Sequence, residues 1–210
     1  VRSNNLLAPI ETAFESTDTN IGYIFDDVPP DSSLETVQKA AQFYRENNCD
    51  AIIAVGGGSV MDCAKAVGAK IARPNKSLKQ MKGVLKVGKK TPTLIAVPTT
   101  AGTGSETTLA SVITDSETRH KYAINDFPLI PKYALLKPEL TVGLPKHITS
   151  TTGMDALTHA VEAYIGRSTT KKTRACALSA SKAIFENLVE AYNNGQNMVA
   201  REKLLKAAYE

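Results

Sequence analysis

The stretch DAIIAVGGGSVMDCAKAVGAKIA, residues 50–72, decides the fold. DAIIAV, 50–55, is short and continuously apolar, as a strand buried on both faces should be. It runs into Gly56, Gly57, Gly58 and Ser59. Beyond them Val60, Ala64, Val67 and Ile71 recur at helical spacing. Glycines let a chain turn sharply and let a ligand approach the backbone. A helix start exposes unpaired N–H groups and the positive end of the helix dipole, which suits a pyrophosphate. Asp62, one turn in, can cap the helix or touch a ribose. The loop is not the GxGxxG fingerprint, so a tight turn without a ligand is the competing reading.

Working outward, residues 5–16 fit a helix with Pro9 in its first turn. NIGYIF, 20–25, reads as a strand, and DDVPPDSS as a loop. Ser32 and Glu35 are spaced as a capping box, opening a helix with Leu34, Val37, Ala41 and Tyr44 on one face. Residues 73–91 are polar and irregular. TLIAV, 93–97, is another buried-type strand, while LASVITD and KYAIND read as a hairpin or an edge. Residues 128–147 are proline-bearing and read as a connector; from about Thr149 the pattern is helical. This alternation predicts an α/β fold: a Rossmann-like domain with a parallel sheet over 1–146, then the start of an all-helical domain over 147–210.

A second polar loop, PTTAGTGSE at 98–106, follows the strand at 93–97. Thr99, Thr100, Thr103 and Ser105 supply hydroxyls, and Gly102 and Gly104 allow close backbone approach. Taken alone this is an ordinary polar turn. Two such loops following successive strands mark the ligand-binding end of an open α/β sheet. In GMDALTHAVEAY, 153–164, Asp155 and His159 stand four apart and share a helix face. A carboxylate and an imidazole suit divalent zinc or iron. The alternative is a helix-capping Asp and a His bonded to backbone. Only His120 and His147 stand besides, both in surface-like settings. A catalytic metal needs about three protein ligands, so the rest must come from elsewhere.

Composition narrows the class. With 42% hydrophobic and 22% charged residues the chain can build a core. The net charge of +4 is scattered, with no basic stripe carrying interleaved aromatics, which argues against nucleic acid. No apolar run spans a bilayer and no secretory signal is present. Three spaced cysteines without a CxxC pair argue against a disulfide framework and fit a reducing cytoplasm. The opening Val1 and the closing helix-like run REKLLKAAYE read as the ends of a segment from a longer protein.

AIIAVGGGSVMDCAKAVG, PTTAGTGSETTLASVITD and TGMDALTHAVEAY, in this order and spacing, resemble the iron-containing (group III) alcohol dehydrogenases. The resemblance implies an α/β nucleotide-binding domain, a helical metal-binding domain and an active site between them. It implies NAD, with NADP as the alternative, held at pyrophosphate by Gly57, Gly58 and Ser59 with Asp62 nearby. Thr99, Thr100 and Thr103 would meet the nicotinamide side, Thr108, Ala110 and Val112 would line the cofactor, and Lys121 would bind ribose. Asp155 and His159 match the first two ligands of an iron or zinc ion; the family takes two more histidines from further along. The family's first strand would precede Val1. Asp31 stands where the family's PNPT loop has asparagine, a charge that disfavours a phosphorylated cofactor. The implied reaction is hydride exchange between a small alcohol and its aldehyde or ketone, by a homodimer or higher oligomer. Other readings stay open: a polyol dehydrogenase or dehydroquinate-synthase-like enzyme of the same superfamily, or a nucleotide-binding pseudoenzyme.

Overall fold

The computed structural model describes residues 6–15, 17 and 21–210. They form two compact units, one holding the chain up to Val97 together with Ser105–Ala134, the other Pro98–Gly104 together with Leu135–Glu210.

The first unit is α/β. Helix α1 (Ala8–Glu15) buries no residue; the flanking Asn5 and Ser16 of the expected helix lie outside the described residues. The expected strand over 20–25 does not form: Asn20 is not described, and 21–25 carry no regular structure. A strand needs a ladder partner, and among the described residues this segment has none; instead Tyr23 and Phe25 pack their rings on Phe43. Helix α2 (Leu34–Glu46) is capped by Ser33, whose side chain accepts from Thr36 N. The expected box of Ser32 and Glu35 is therefore displaced by one residue. Ser32 instead donates to the carbonyl of Ser59, and Glu35 accepts from Ser116.

Strand β1 (Ala51–Gly56) leads through Gly57 into α3 (Gly58–Ala72). A short helix α4 (Leu78–Met81) and strand β2 (Gly83–Val84) follow within the stretch read as irregular. Strands β3 (Thr93–Pro98), β4 (Ala110–Thr114), β5 (Lys121–Asn125) and β6 (Tyr133–Ala134) complete two three-stranded sheets, β1-β3-β6 and β2-β5-β4. β3 pairs parallel to β6, and β2 parallel to β5. β4 and β5 form the expected antiparallel hairpin, Val112 opposite Ala123.

Helix α3 explains its own composition. Cys63, Ala66 and Val67 pack with α2, Ile113 and Ile124, while Met61 and Ala64 pack with Ala54, Leu94 and Ala96 of β1 and β3. A helix covered on nearly every side can afford few large residues, hence the run of Ala and Gly. Burying each large apolar side chain such as Met61 or Ile113 contributes about 1.5–3 kcal/mol.

The second unit is helical: α5 (Lys146–Ile165), α6 (Lys171–Asn193) and α7 (Met198–Tyr209). Small residues of α5 and α6 (Ala156, Ala160, Ala180) meet Ile184 and Leu204 in one core. Thr170 and Asn197 cap α6 and α7. Buried Arg201 ties α7 to α5, donating through Nη1 to Thr149 Oγ1 at 2.8 Å and through Nε to the Gly195 carbonyl at 3.0 Å. Among the described residues no helix is long and apolar enough to cross a membrane, and the three cysteines are free thiols.

Candidate functional site

The strand–loop–helix stretch forms as read. Gly57 is the N-cap of α3, in extended backbone (φ −85°, ψ −168°), and no side chain caps that end. Gly57, Gly58 and Ser59 are partly exposed, and the first N–H groups of a helix lack partners within it, the arrangement that suits an anion. Gly56 has a different reason to be glycine: a Cβ there would lie 2.6 Å from Val60 Cγ2. Ser59 is held by the preceding loop. Its Oγ accepts from Asp31 N at 3.2 Å, and its carbonyl accepts from Ser32 Oγ at 2.9 Å. Asp31 sits in the left-handed region at φ 56°, and its carboxylate meets Lys121 Nζ at 2.7 Å on the surface.

Asp62 turns both carboxylate oxygens to the protein. Oδ1 accepts from Ser105 Oγ at 2.7 Å, and Oδ2 from Val112 N at 3.1 Å. Burial pushes its carboxyl above the ordinary range, against the pull of those bonds and of Lys65. Lys65, one turn on, is 1% exposed. Its Nζ donates to Ser105 Oγ (3.0 Å), to the carbonyl and Oγ1 of Thr108 (2.9 Å each) and to the Ala110 carbonyl (2.8 Å). The hydroxyl of Thr108, expected against the cofactor, is thus engaged by Lys65. Val112, the third of the expected lining residues, is 41% exposed.

Nothing in the motif reading singled out Lys65 or Glu106. A signal existed: a lysine inside a helix of Ala, Val and Gly has to be satisfied by something. Glu106 is buried, its Oε1 has no hydrogen-bond partner among the described residues, and burial pushes its carboxyl upward.

Residues Pro98–Gly104 of the threonine loop lie in the helical unit, seated on α5, whereas Ser105 and Glu106 belong to the first unit. A Cβ on Gly102 would stand 2.8 Å from Thr152 Cβ and 3.0 Å from its carbonyl. Ala101 packs on the core that holds Ala156 and Ala160. Gly104 takes φ 57°, a conformation that costs other residues energy. Thr99 is buried, Thr100 partly buried and Thr103 exposed. Asp155 and His159 project from the same helix, one and two turns beyond Thr152, with Oδ1 and Nε2 3.9 Å apart. Their side chains are 45% and 55% exposed, so solvent reaches both. The oxygen–nitrogen donor set fits a divalent transition metal. Among the described residues no third His, Cys, Asp or Glu joins them, and His120 and His147 are exposed. A cleft of about 790 Å³ in the first unit, lined mainly by apolar side chains such as Phe14, Ile21, Ile53 and Val55, includes none of these residues.

Residues 1–138 match the family model "Iron-containing alcohol dehydrogenase", and residues 149–209 match "Fe-containing alcohol dehydrogenase family, C-terminal". The chain is 41% identical over 186 residues to the NAD-dependent methanol dehydrogenase of Bacillus methanolicus, covering 89% of this chain and 49% of that protein. The alcohol dehydrogenase from Oenococcus oeni superposes with a TM-score of 0.93 at 33% identity, over 99% of this chain and 54% of that one. The sulfoacetaldehyde reductase from Bifidobacterium kashiwanohense, crystallised with NAD+, gives a TM-score of 0.86 at 33% identity, over 98% and 55%. The chain spans about half the length of the curated relatives it matches. By sequence and fold, the chain belongs to the iron-containing alcohol dehydrogenase family.

Proposed function

We propose that this chain contributes the dinucleotide loops and the first two metal ligands of a nicotinamide-dependent, metal-assisted alcohol dehydrogenase. One observation carries the reading. The threonine loop is packed against α5 through Gly102 and Ala101, and α5 carries Asp155 and His159. Nicotinamide-binding hydroxyls and metal ligands are thereby fixed to one rigid element, as positioning of two reactants requires.

When bound, a nicotinamide supplies the hydride acceptor and a divalent iron or zinc ion supplies Lewis acidity. The protein's own residues do the rest. The N-terminal amides of Gly58 and Ser59 bind the pyrophosphate, and Gly57 lets it approach. Thr99, Thr100 and Thr103 orient the nicotinamide. Thr108, Ala110 and Val112 line the cofactor, and Lys121 meets a ribose. NAD is the expected form, since Asp31 places a negative charge beside Lys121. Asp155 and His159 hold the ion, with further ligands from outside these residues, in an assembly of two or more copies.

A second reading rests on the lack of a third ligand among the described residues: a nucleotide-binding protein without chemistry. One experiment separates the two. The full-length protein, loaded with Fe2+ or Zn2+, is given NAD+ and a series of short alcohols while nicotinamide absorbance is followed. Turnover that disappears on chelation and returns with metal supports the dehydrogenase. Tight NADH binding with no turnover on any alcohol, with metal present, selects the second reading.

A further inference from the structure

Residues 63–105 contain no aspartate or glutamate but nine lysines and arginines, so the remainder of the chain is net negative. No long run of cations marks this stretch, yet the fold gathers several of them on one turn of the first unit. After β2 the chain wraps the C-terminal end of β5. Leu85 N donates to the Asn125 carbonyl at 2.9 Å, and Val87 N and Gly88 N donate to Asp126 Oδ2 at 2.9 and 2.8 Å. Arg73 Nε and Lys76 Nζ brace the turn, donating to the carbonyls of Val87 and Lys86. The Lys86 ammonium lies beside β2, 3.8 Å from where a Cβ on Gly83 would stand. Lys82, Lys86, Lys89 and Lys90 are exposed, and among the described residues no carboxylate pairs with any of them.

The apex of this cationic turn is apolar. Val84 and Leu85 are 65% and 60% exposed, and Phe127, which follows Asp126, is 66% exposed. Val84 stands opposite Asn125 in the ladder, which brings the three residues to one end of the sheet. Leu85 sits in the left-handed region at φ 57°, where glycine or asparagine is favoured over a bulky side chain. An exposed leucine there gains nothing by burial and strains the backbone, so folding does not explain it.

We propose that this turn, residues 82–90, adsorbs reversibly to anionic lipid bilayers. Val84, Leu85 and Phe127 enter the boundary between headgroups and acyl chains, and Lys82, Lys86, Lys89 and Lys90 meet the anionic headgroups. Charge complementarity gives the sign of the surface, and the projecting apolar tip gives its kind. An anionic bilayer attracts clustered lysines and accepts apolar side chains at its interface. An acidic polypeptide is bound in a groove or along a sheet edge, and β2 offers only two residues of edge. Three apolar side chains are a weak anchor alone, so tip and charges act together and the attachment is salt-sensitive. None of these residues belongs to the proposed cofactor or metal groups.

The test is co-sedimentation of the full-length protein with vesicles of phosphatidylcholine alone, or of phosphatidylcholine and phosphatidylserine in equal parts. Binding to the serine-containing vesicles should be about tenfold stronger at low salt and should be lost in about 1 M salt. Val84→Ser with Leu85→Asn should weaken it about tenfold, with a melting temperature unchanged or raised. Lys89→Glu with Lys90→Glu should bring it down to the level of phosphatidylcholine alone. Equal binding to both vesicles, binding to neither, or undiminished binding by either double variant overturns the inference. If a double variant does not fold, Leu85→Asn and Lys90→Glu singly decide in the same way. Retention on immobilised polyglutamate that exceeds vesicle binding and ignores Val84 and Leu85 would assign the turn to an acidic polypeptide, and the membrane reading would fall.

Discussion

Lys121 Nζ and Asp31 Oδ1 are 2.7 Å apart, joining β5 to the loop that holds Ser59. Asp31 N donates to Ser59 Oγ, so the ion pair stands one residue from the proposed pyrophosphate loop. A cofactor sugar leaving the proposed pyrophosphate loop would meet this ion pair. Asp31→Asn tests what the charge does. Asparagine tolerates the left-handed φ of 56° as well as aspartate does, so the change removes charge without backbone strain. The ratio of NADPH to NADH affinity should rise about tenfold, a difference of ~1.4 kcal/mol. Stability should change little, because an exposed pair contributes about 0–1 kcal/mol. An unchanged ratio removes Asp31 from cofactor selection.

Glu106 gives a stability prediction with a defined sign. Its carboxyl is 3% exposed, its Oε1 is unpartnered, and burial raises its folded-state pKa above the ordinary 4.5. Above that raised value the native state holds a charge that the unfolded chain holds at no cost, and there the penalty is fully present. As pH falls through the folded value the group takes its proton and the penalty is lost, disappearing below about 4.5. Glu106→Gln should therefore stabilise the protein by about 1 kcal/mol at pH 7, with the gain vanishing near pH 4. Urea midpoints at the two pH values measure it. A destabilised Gln variant at pH 7 would show that the attraction of Lys65 and the backbone hydrogen bond outweigh the cost of burial.

Much of this was legible in the sequence because it rests on local pattern. The strand, glycine loop and helix over 50–72 need only a buried strand, a turn and a period of 3.6, and all three are present. The hairpin of β4 and β5 was legible from its alternation. What escaped was long-range. Strand β6 is two residues in a proline-bearing stretch, and only its pairing with Ile95 and Ala96 makes it a strand. Residues 21–25 have strand composition but no partner among the described residues. Ser33 rather than Ser32 caps α2 because Ser32 is drawn to the Ser59 carbonyl, 27 residues away. Lys65 was missed for the same reason: its four acceptors lie 40–45 residues downstream. In the site, the motifs named candidate groups, and contacts across the fold decide which of them are free to meet a ligand.

Gly102 and Gly143 make a matched pair for testing the seat of the threonine loop. A Cβ at 102 would meet the Cβ, carbonyl and Cα of Thr152 at 2.8, 3.0 and 3.1 Å, two of them backbone atoms that cannot swing aside. A Cβ at 143 meets nothing within 4 Å. Gly102→Ala should cost about 1–3 kcal/mol as the loop lifts from α5. Gly143→Ala should be neutral or stabilise by about 0.4–1 kcal/mol through the unfolded state. Thermal melts of both variants check this. Equal effects would mean that the loop is not tightly seated.

Asp155 and His159 predict how metal should be lost. Both side chains project from α5 and both are half exposed, with 3.9 Å between Oδ1 and Nε2. One ion can touch both at bonding distances of about 2.0–2.2 Å. Neither residue is tied to the core, so replacing either should leave the fold intact, and a loss of metal cannot be blamed on unfolding. His159→Ala removes a donor outright, and zinc or iron affinity in the full-length protein should fall by more than 100-fold. Asp155→Asn keeps an oxygen but removes its charge, and a smaller fall, about tenfold, is expected. Metal content measured after dialysis against a weak chelator reads both effects. Retention of a full equivalent by His159→Ala would place the ion elsewhere, and the assignment of α5 as the metal helix would fall with it.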